Sequence, residues 1–176
     1  GPLHFALSGA SKLLALPQLK LAWIVVAGPA RARDEALARL EFVADAYLSV
    51  SPLLARALPR LLSQRAEIRR ELRARVAENR TRLETAVASA GGVACLPAEA
   101  GWAAILRLEA ADGRAPDEEE LAVALLDRAG VLVHPGFVFD LAAPADEPAA
   151  HLVLSLLHEP ERFAEGTEAL LEVLAR

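Results

Sequence analysis

Ser8-Gly9-Ala10-Ser11-Lys12-Leu13-Leu14-Ala15-Leu16-Pro17-Gln18-Leu19-Lys20-Leu21-Ala22-Trp23 holds every lysine of a 176-residue chain. Of its 19 basic residues, the other 17 are arginine. Arginine stays protonated and cannot act as an amine nucleophile, whereas lysine can. Lys12 follows small residues at a predicted strand end, where backbone packs closely and an amine can be held in a cleft. Burial there disfavours the ammonium form, and the free amine can attack a carbonyl to form a Schiff base. Lys20, eight positions on, suits a phosphate as a point charge. Two solvated surface lysines would leave the same spacing.

Working outward, Leu21 to Ala27 is a continuous apolar run rich in β-formers, bounded by Gly28-Pro29. Such a run suits a strand buried on both faces of a parallel sheet, with sheet neighbours outside this chain. From Arg31 the period turns helical, with Leu37, Leu40, Val43 or Ala44, Tyr47 and Leu48 on one stripe. Ser51-Pro52 predicts a helix start with Ser at the cap, and Pro59 an end or a kink.

Leu61 to Ala90 reads as one long helix closed by Gly91-Gly92, with Ile68, Leu72, Val76, Leu83 and Val87 inward. Glu71–Arg75 and Glu78–Arg82 stand at ion-pair spacing on its wet face. Beyond the glycines come short units. Strands are predicted at Val93–Leu96, Trp102–Leu108, Val131–Val133 and His151–Leu157. A helix starts at the acidic run Asp117 to Glu120 and ends at Gly130; another opens at Glu159-Pro160. The fold class is therefore α/β, with an α+β small domain.

Composition narrows the functions. The chain is 54% hydrophobic and 24% charged, with net charge -5, which is globular rather than disordered. Its longest stretch without acid or base, Thr85 to Ala98, is too short for a bilayer span of about 20 residues. A single cysteine, Cys95, excludes an internal disulfide framework and fits a reducing, cytoplasmic setting. The arginines between Arg56 and Arg82 are interleaved with Glu67, Glu71 and Glu78 and lack aromatics. They read as a solvated helix face, with no nucleic-acid partner. His4, His134, His151, His158 and Cys95 show no metal-ligand spacing, so no metal is expected. The opening Gly1-Pro2 and the absence of methionine fit an N-terminus that is not where the protein begins.

The lysine segment resembles that of class I/II aminotransferases, the fold type I enzymes of pyridoxal phosphate (PLP). Later landmarks agree in order: a long helix, Gly101-Trp102 before a strand, and an acidic helix. Val133-His134-Pro135-Gly136 with Phe139, the strand His151 to Ser155, and a closing helix around Phe163 to Gly166 follow. The resemblance implies that Lys12 is the catalytic, cofactor-binding lysine and that Lys20 holds the cofactor phosphate. It further implies that residues 1–61 end a large PLP-binding domain, and that residues 62–176 are a long interdomain helix and small C-terminal domain. Amino acid and 2-oxo acid substrates and a homodimer follow from it.

Two positions depart from the family pattern. Gly9 stands where a phosphate-binding serine is frequent, and Val153 where an arginine grips the substrate α-carboxylate. Valine cannot make that bidentate contact. The family's ring-stacking aromatic, its pyridine-nitrogen acid and its phosphate loop lie upstream of anything in this chain. The expectation is thus a C-terminal fragment of a PLP-dependent aminotransferase, inactive alone. The alternative is an aminotransferase-like dimerisation or regulatory domain without catalysis.

Overall fold

A computed structural model describes residues 1–47, 50–110, 113–144 and 147–175. By their contacts the residues divide into two units, Gly1–Glu71 and Leu72–Arg176.

In the first unit, strand β1 (His4–Gly9) pairs antiparallel with β2 (Ala22–Ala27), in a register that sets Gly9 against Ala22. The expected parallel, doubly buried strand is thus corrected. β2 has one antiparallel partner within this chain and leaves Ile24 and Val25 exposed. A continuous apolar run reports that a strand avoids water, but not which neighbour covers it. Helix α2 (Ala30–Asp45) buries none of its residues, and Leu37 and Val43 of the expected stripe are exposed. Leu48 lies outside the described residues.

Helix α3 (Pro52–Ser63) has Pro at its first position, although Ser51 makes no side-chain cap. It runs through Pro59 rather than ending there. A proline eight residues into a helix removes one backbone bond, a local cost that the later turns outlast. The break comes at Gln64, so the expected single helix begins instead as α4 (Arg65–Ala88). Leu54, Leu58, Leu61, Leu62 and Ile68 pack on a small core of Ala10, Leu14 and Leu21.

The second unit is a four-stranded antiparallel sheet in the order β3-β4-β6-β5: β3 (Val93–Cys95), β4 (Ala103–Glu109), β5 (His134–Pro135) and β6 (Ala149–Ser155). Alternate residues of β4 and β6 meet Leu83 and Val87 of α4, Leu125 of α5 (Glu118–Ala129), and Phe163 and Leu170 of α6 (Pro160–Leu174). β6 is buried at every residue but Ser155. It has a strand on each side, and side chains cover both its faces. The strand expected at Val131–Val133 is displaced to His134–Pro135. Gly130, left-handed at φ 65°, ends α5, and the Val131 N–H turns back to Leu125 O at 3.2 Å. That donor closes the helix, so it cannot join a ladder.

On α4, Asn79 fills the gap in the apolar stripe between Val76 and Leu83 and is fully buried. Its Nδ2 donates to Leu156 O at 3.0 Å and His158 O at 2.8 Å, tying the helix to the segment after β6. Glu78 and Arg82 pair as expected, but Arg75 reaches Glu159 at 2.9 Å instead of Glu71. Among the described residues, no helix is long and apolar enough to cross a membrane.

Asn79→Ala would leave two carbonyls without their donor. A loss of about 1–3 kcal/mol is expected in chemical denaturation, and an unchanged midpoint would show that the tie carries no stability.

Candidate active site

The lysine turn is built on its backbone. Ala10 and Leu14 are almost fully buried, and Leu21 nearly so, which anchors the segment at its beginning, middle and end. Ala10 N donates to Leu21 O at 2.9 Å, drawing the two arms together where β1 and β2 end. A Cβ at Gly9 would stand 3.1 Å from Leu21 O and 3.4 Å from Ala22 Cβ. A side chain at position 9 would require the Leu21 carbonyl to give way by a few tenths of an ångström.

Between the anchors, Ala10–Leu13 makes a single helical turn, α1, with Lys12 in it. Pro17–Leu19 makes a 3-10 turn that ends on Lys20. Both lysines are exposed. Lys20 is held left-handed at φ 50°, ψ 37°, and Ala15 lies at φ 53°. For a residue with a Cβ this costs on the order of 1–2 kcal/mol, repaid by the burial of Leu14 and Leu21 on either side. No sequence pattern announces such a backbone at alanine or lysine.

A second set of side chains lies on the face of the small sheet away from its helices. Ile105 of β4 and His134 of β5 flank Val153 of β6 in register. With Leu96, Trp102, Phe139 and Leu141, Ile105 and Val153 line a half-open hollow of about 390 Å³, which among the described residues has no charged side chain in its wall. The ring of Phe139 meets His134 edge-on, with centroids 5.9 Å apart. Arg107 belongs to the neighbouring row, opposite His151, and faces Glu147 at 3.5 Å.

This hollow has a fastened edge. The acidic run Asp117 to Glu120 does start a helix, and Asp117 caps Glu119 N and Glu120 N at 2.9 and 3.0 Å. Glu118, however, turns inward. Its carboxylate accepts from Phe137 N at 2.8 Å and His151 N at 2.6 Å, joining the turn Gly136–Phe139 to β6. Gly136 lies so close to β6 that a Cβ would meet His151 Cβ at 2.5 Å. His151 Nδ1 is buried without a hydrogen-bond partner, 3.8 Å from Glu118 Oε1. Sequence reasoning took these acids only as a helix start, because one inward glutamate among outward ones has no periodic signature.

Cys95 lies beside Arg80, with 3.9 Å from Sγ to Nη1. Burial pushes its thiol up, and the nearby arginine only partly offsets this. Among the described residues, no cluster of three or more His, Cys, Asp or Glu could hold a metal ion.

With the turn and the sheet described, comparison with known proteins adds the lineage. The model of the family described as aminotransferase class I and II matches residues 2–169. The chain belongs to that family. Its members are PLP-dependent enzymes. Solved structures with the same fold include an alanine aminotransferase from Pyrococcus furiosus, at TM-score 0.72 and 17% identity over 99% of this chain. A tyrosine aminotransferase from Leishmania infantum reaches 0.72 at 17% over 97%. A decarboxylase from Sulfurospirillum multivorans reaches 0.63 at 16% over 97%. This aminotransferase-family chain spans 43%, 40% and 43% of those chains. No curated protein matches it significantly. At such identities the likeness fixes the scaffold, and a decarboxylase on that scaffold shows why the reaction needs its own argument.

Two outcomes follow from this geometry. Gly136→Ala drives a methyl into β6 and should cost about 1–3 kcal/mol in chemical denaturation; an unaltered stability would mean that the turn shifts freely. Cys95 should react more slowly with iodoacetamide at neutral pH than an exposed cysteine in a peptide, because less of it is thiolate. An equal rate would contradict its burial.

Proposed function

We propose that this chain is the C-terminal part of a PLP-dependent aminotransferase that moves an amino group between an amino acid and a 2-oxo acid. On this reading residues 1–61 end the large cofactor-binding domain, and residues 62–176 form the long helix and small domain. The observation that carries it is the pair of exposed amines, Lys12 and Lys20, on one turn anchored by Ala10, Leu14 and Leu21.

The donor set fits the cofactor. One amine can join an aldehyde covalently and a second cation can face a phosphate, on a backbone fixed at both ends. When bound, PLP supplies an electron sink. Lys12 is its covalent attachment point. Once substrate has taken that place, Lys12 Nζ is the base that takes a proton from the substrate carbon and returns it to the neighbouring position. Lys20 holds the phosphate as a point charge. The protein works as a homodimer in the cytoplasm, on small molecules rather than nucleic acid or membrane. The 176 residues alone are inactive, because the groups that tune the cofactor ring belong to the other domain segments.

Val153 and Gly9 favour one further reading, a domain of this family kept for assembly or regulation without catalysis. A single experiment separates the two. The intact protein is incubated with PLP and reduced with borohydride, and its peptides are mapped by mass. The cofactor mass on the Lys12 peptide, lost in Lys12→Ala and weakened in Lys20→Ala, is the expected result. A protein that takes up no cofactor belongs to the second reading, and equal labelling of Lys12→Ala would overturn the role of Lys12.

A further inference from the structure

Strand β5 is only two residues long and stops beside β6 after His134. The chain before it cannot extend that ladder through Val131, whose N–H is spent on the end of α5. Where the ladder stops, a cavity of about 360 Å³ opens between residues 130–134, the end of β6 and the first half of α6. It lies wholly within the second unit, and its size suits a small molecule. One side of it is core, because Val133, Phe163 and Leu170 are buried and line it. Between Phe163 and Leu170, α6 carries Gly166, where an added Cβ would meet no atom within 4 Å. Neither a left-handed backbone nor a close neighbour requires that glycine, and glycine inside a helix is costly beside alanine. Its effect here is to leave the cavity wall open.

The other side is polar and of one sign. Arg162 of α6, His134 of β5, and Ser155 and His158 at the end of β6 all line the cavity. Among the described residues no acid lines it, and Arg162 has neither an ion pair nor a hydrogen bond. Glu159, next to His158, is engaged by Arg75 at 2.9 Å. Ser155 Oγ accepts from Leu157 N at 3.3 Å, so its O–H remains to donate. Thr167 is different, since its hydroxyl is spent on Phe163 O at 2.8 Å. His158 is held through its backbone, whose carbonyl accepts from Asn79 Nδ2 at 2.8 Å. Donors without acids, facing a core wall, select an anion that carries an apolar body. A planar carboxylate is matched by one guanidinium fork, whereas donors from three separate elements suit the several oxygens of a tetrahedral oxyanion.

We propose that this cavity binds a small phosphomonoester, with Arg162, His134 and His158 on the phosphate and Phe163 and Leu170 against its apolar body. The site goes beyond the aminotransferase reading and does not depend on it, since every residue it uses belongs to the small sheet and its last helix.

The test is calorimetric titration of the intact protein, without added PLP, with phenyl phosphate, benzoate, phenol and inorganic phosphate. Phenyl phosphate is expected to bind saturably and about tenfold or more tightly than each of the others, which lack either its dianion or its ring. Arg162→Ala, at an exposed position, should weaken it by about tenfold or more while circular dichroism stays unchanged. Lys20→Ala should leave it unaltered, which separates this cavity from the lysine turn. Gly166→Leu should block binding by filling the cavity, while the melting temperature holds or rises because leucine is the better helix former. Should that variant fail to fold, Arg162→Ala decides. No binding of phenyl phosphate, equal binding of benzoate or phenol, or affinity unchanged in Arg162→Ala or in folded Gly166→Leu would overturn the proposal. A loss confined to Lys20→Ala would overturn it too, by placing the ligand on the lysine turn. The aminotransferase reading fails separately, when borohydride leaves Lys12 unlabelled, and that result leaves this site standing.

Discussion

Strand β6 carries the second unit. It exchanges backbone hydrogen bonds with β4 along its whole length and with β5 at Val153 and Leu152. What its ladders leave over is used by side chains. Glu118 takes the His151 N–H, and Asn79 takes the carbonyls of Leu156 and His158 just beyond its end. Each of those groups would be costly to bury unmet, so a helix start, a helix middle and a turn are all pinned to one strand. The residues that floor and frame the outer hollow inherit their positions from this arrangement.

The first unit has the opposite economy. A two-stranded ribbon and a helix with no buried residue cannot hold themselves by packing. Its order comes from the small leucine core under the lysine turn and from the bond between Ala10 and Leu21. Phe42, Tyr47 and Leu53 are among the most exposed large apolar groups in the chain. Exposed apolar groups of that size, when contiguous, mark surfaces of contact.

Much of this was legible in the residues. Gly130 and Gly91-Gly92, the acidic start at Asp117 and the Pro52 and Pro160 openings set helix boundaries by local chemistry, and they hold in the structure. Lys12 and Lys20 stood out through the type of base alone. What stayed hidden depends on contacts between distant segments. Whether β2 is covered, whether Val131 spends its N–H on a helix end, and whether Glu118 points inward are all decided by neighbours far away in sequence. Asn79 belongs with these, since the two carbonyls it meets lie far along the chain.

The concentration of both lysines on one exposed turn also changes what can be done with the protein. Within these residues, an amine-directed dye or crosslinker finds only that turn and whatever amine begins the chain. A reagent that ordinarily scatters over a surface becomes here a positional label, placed where the cofactor is proposed to bind. The arginine-rich surface keeps its charge and stays silent. Occupancy of the turn can therefore be followed as protection from modification, without turnover and before any substrate is known.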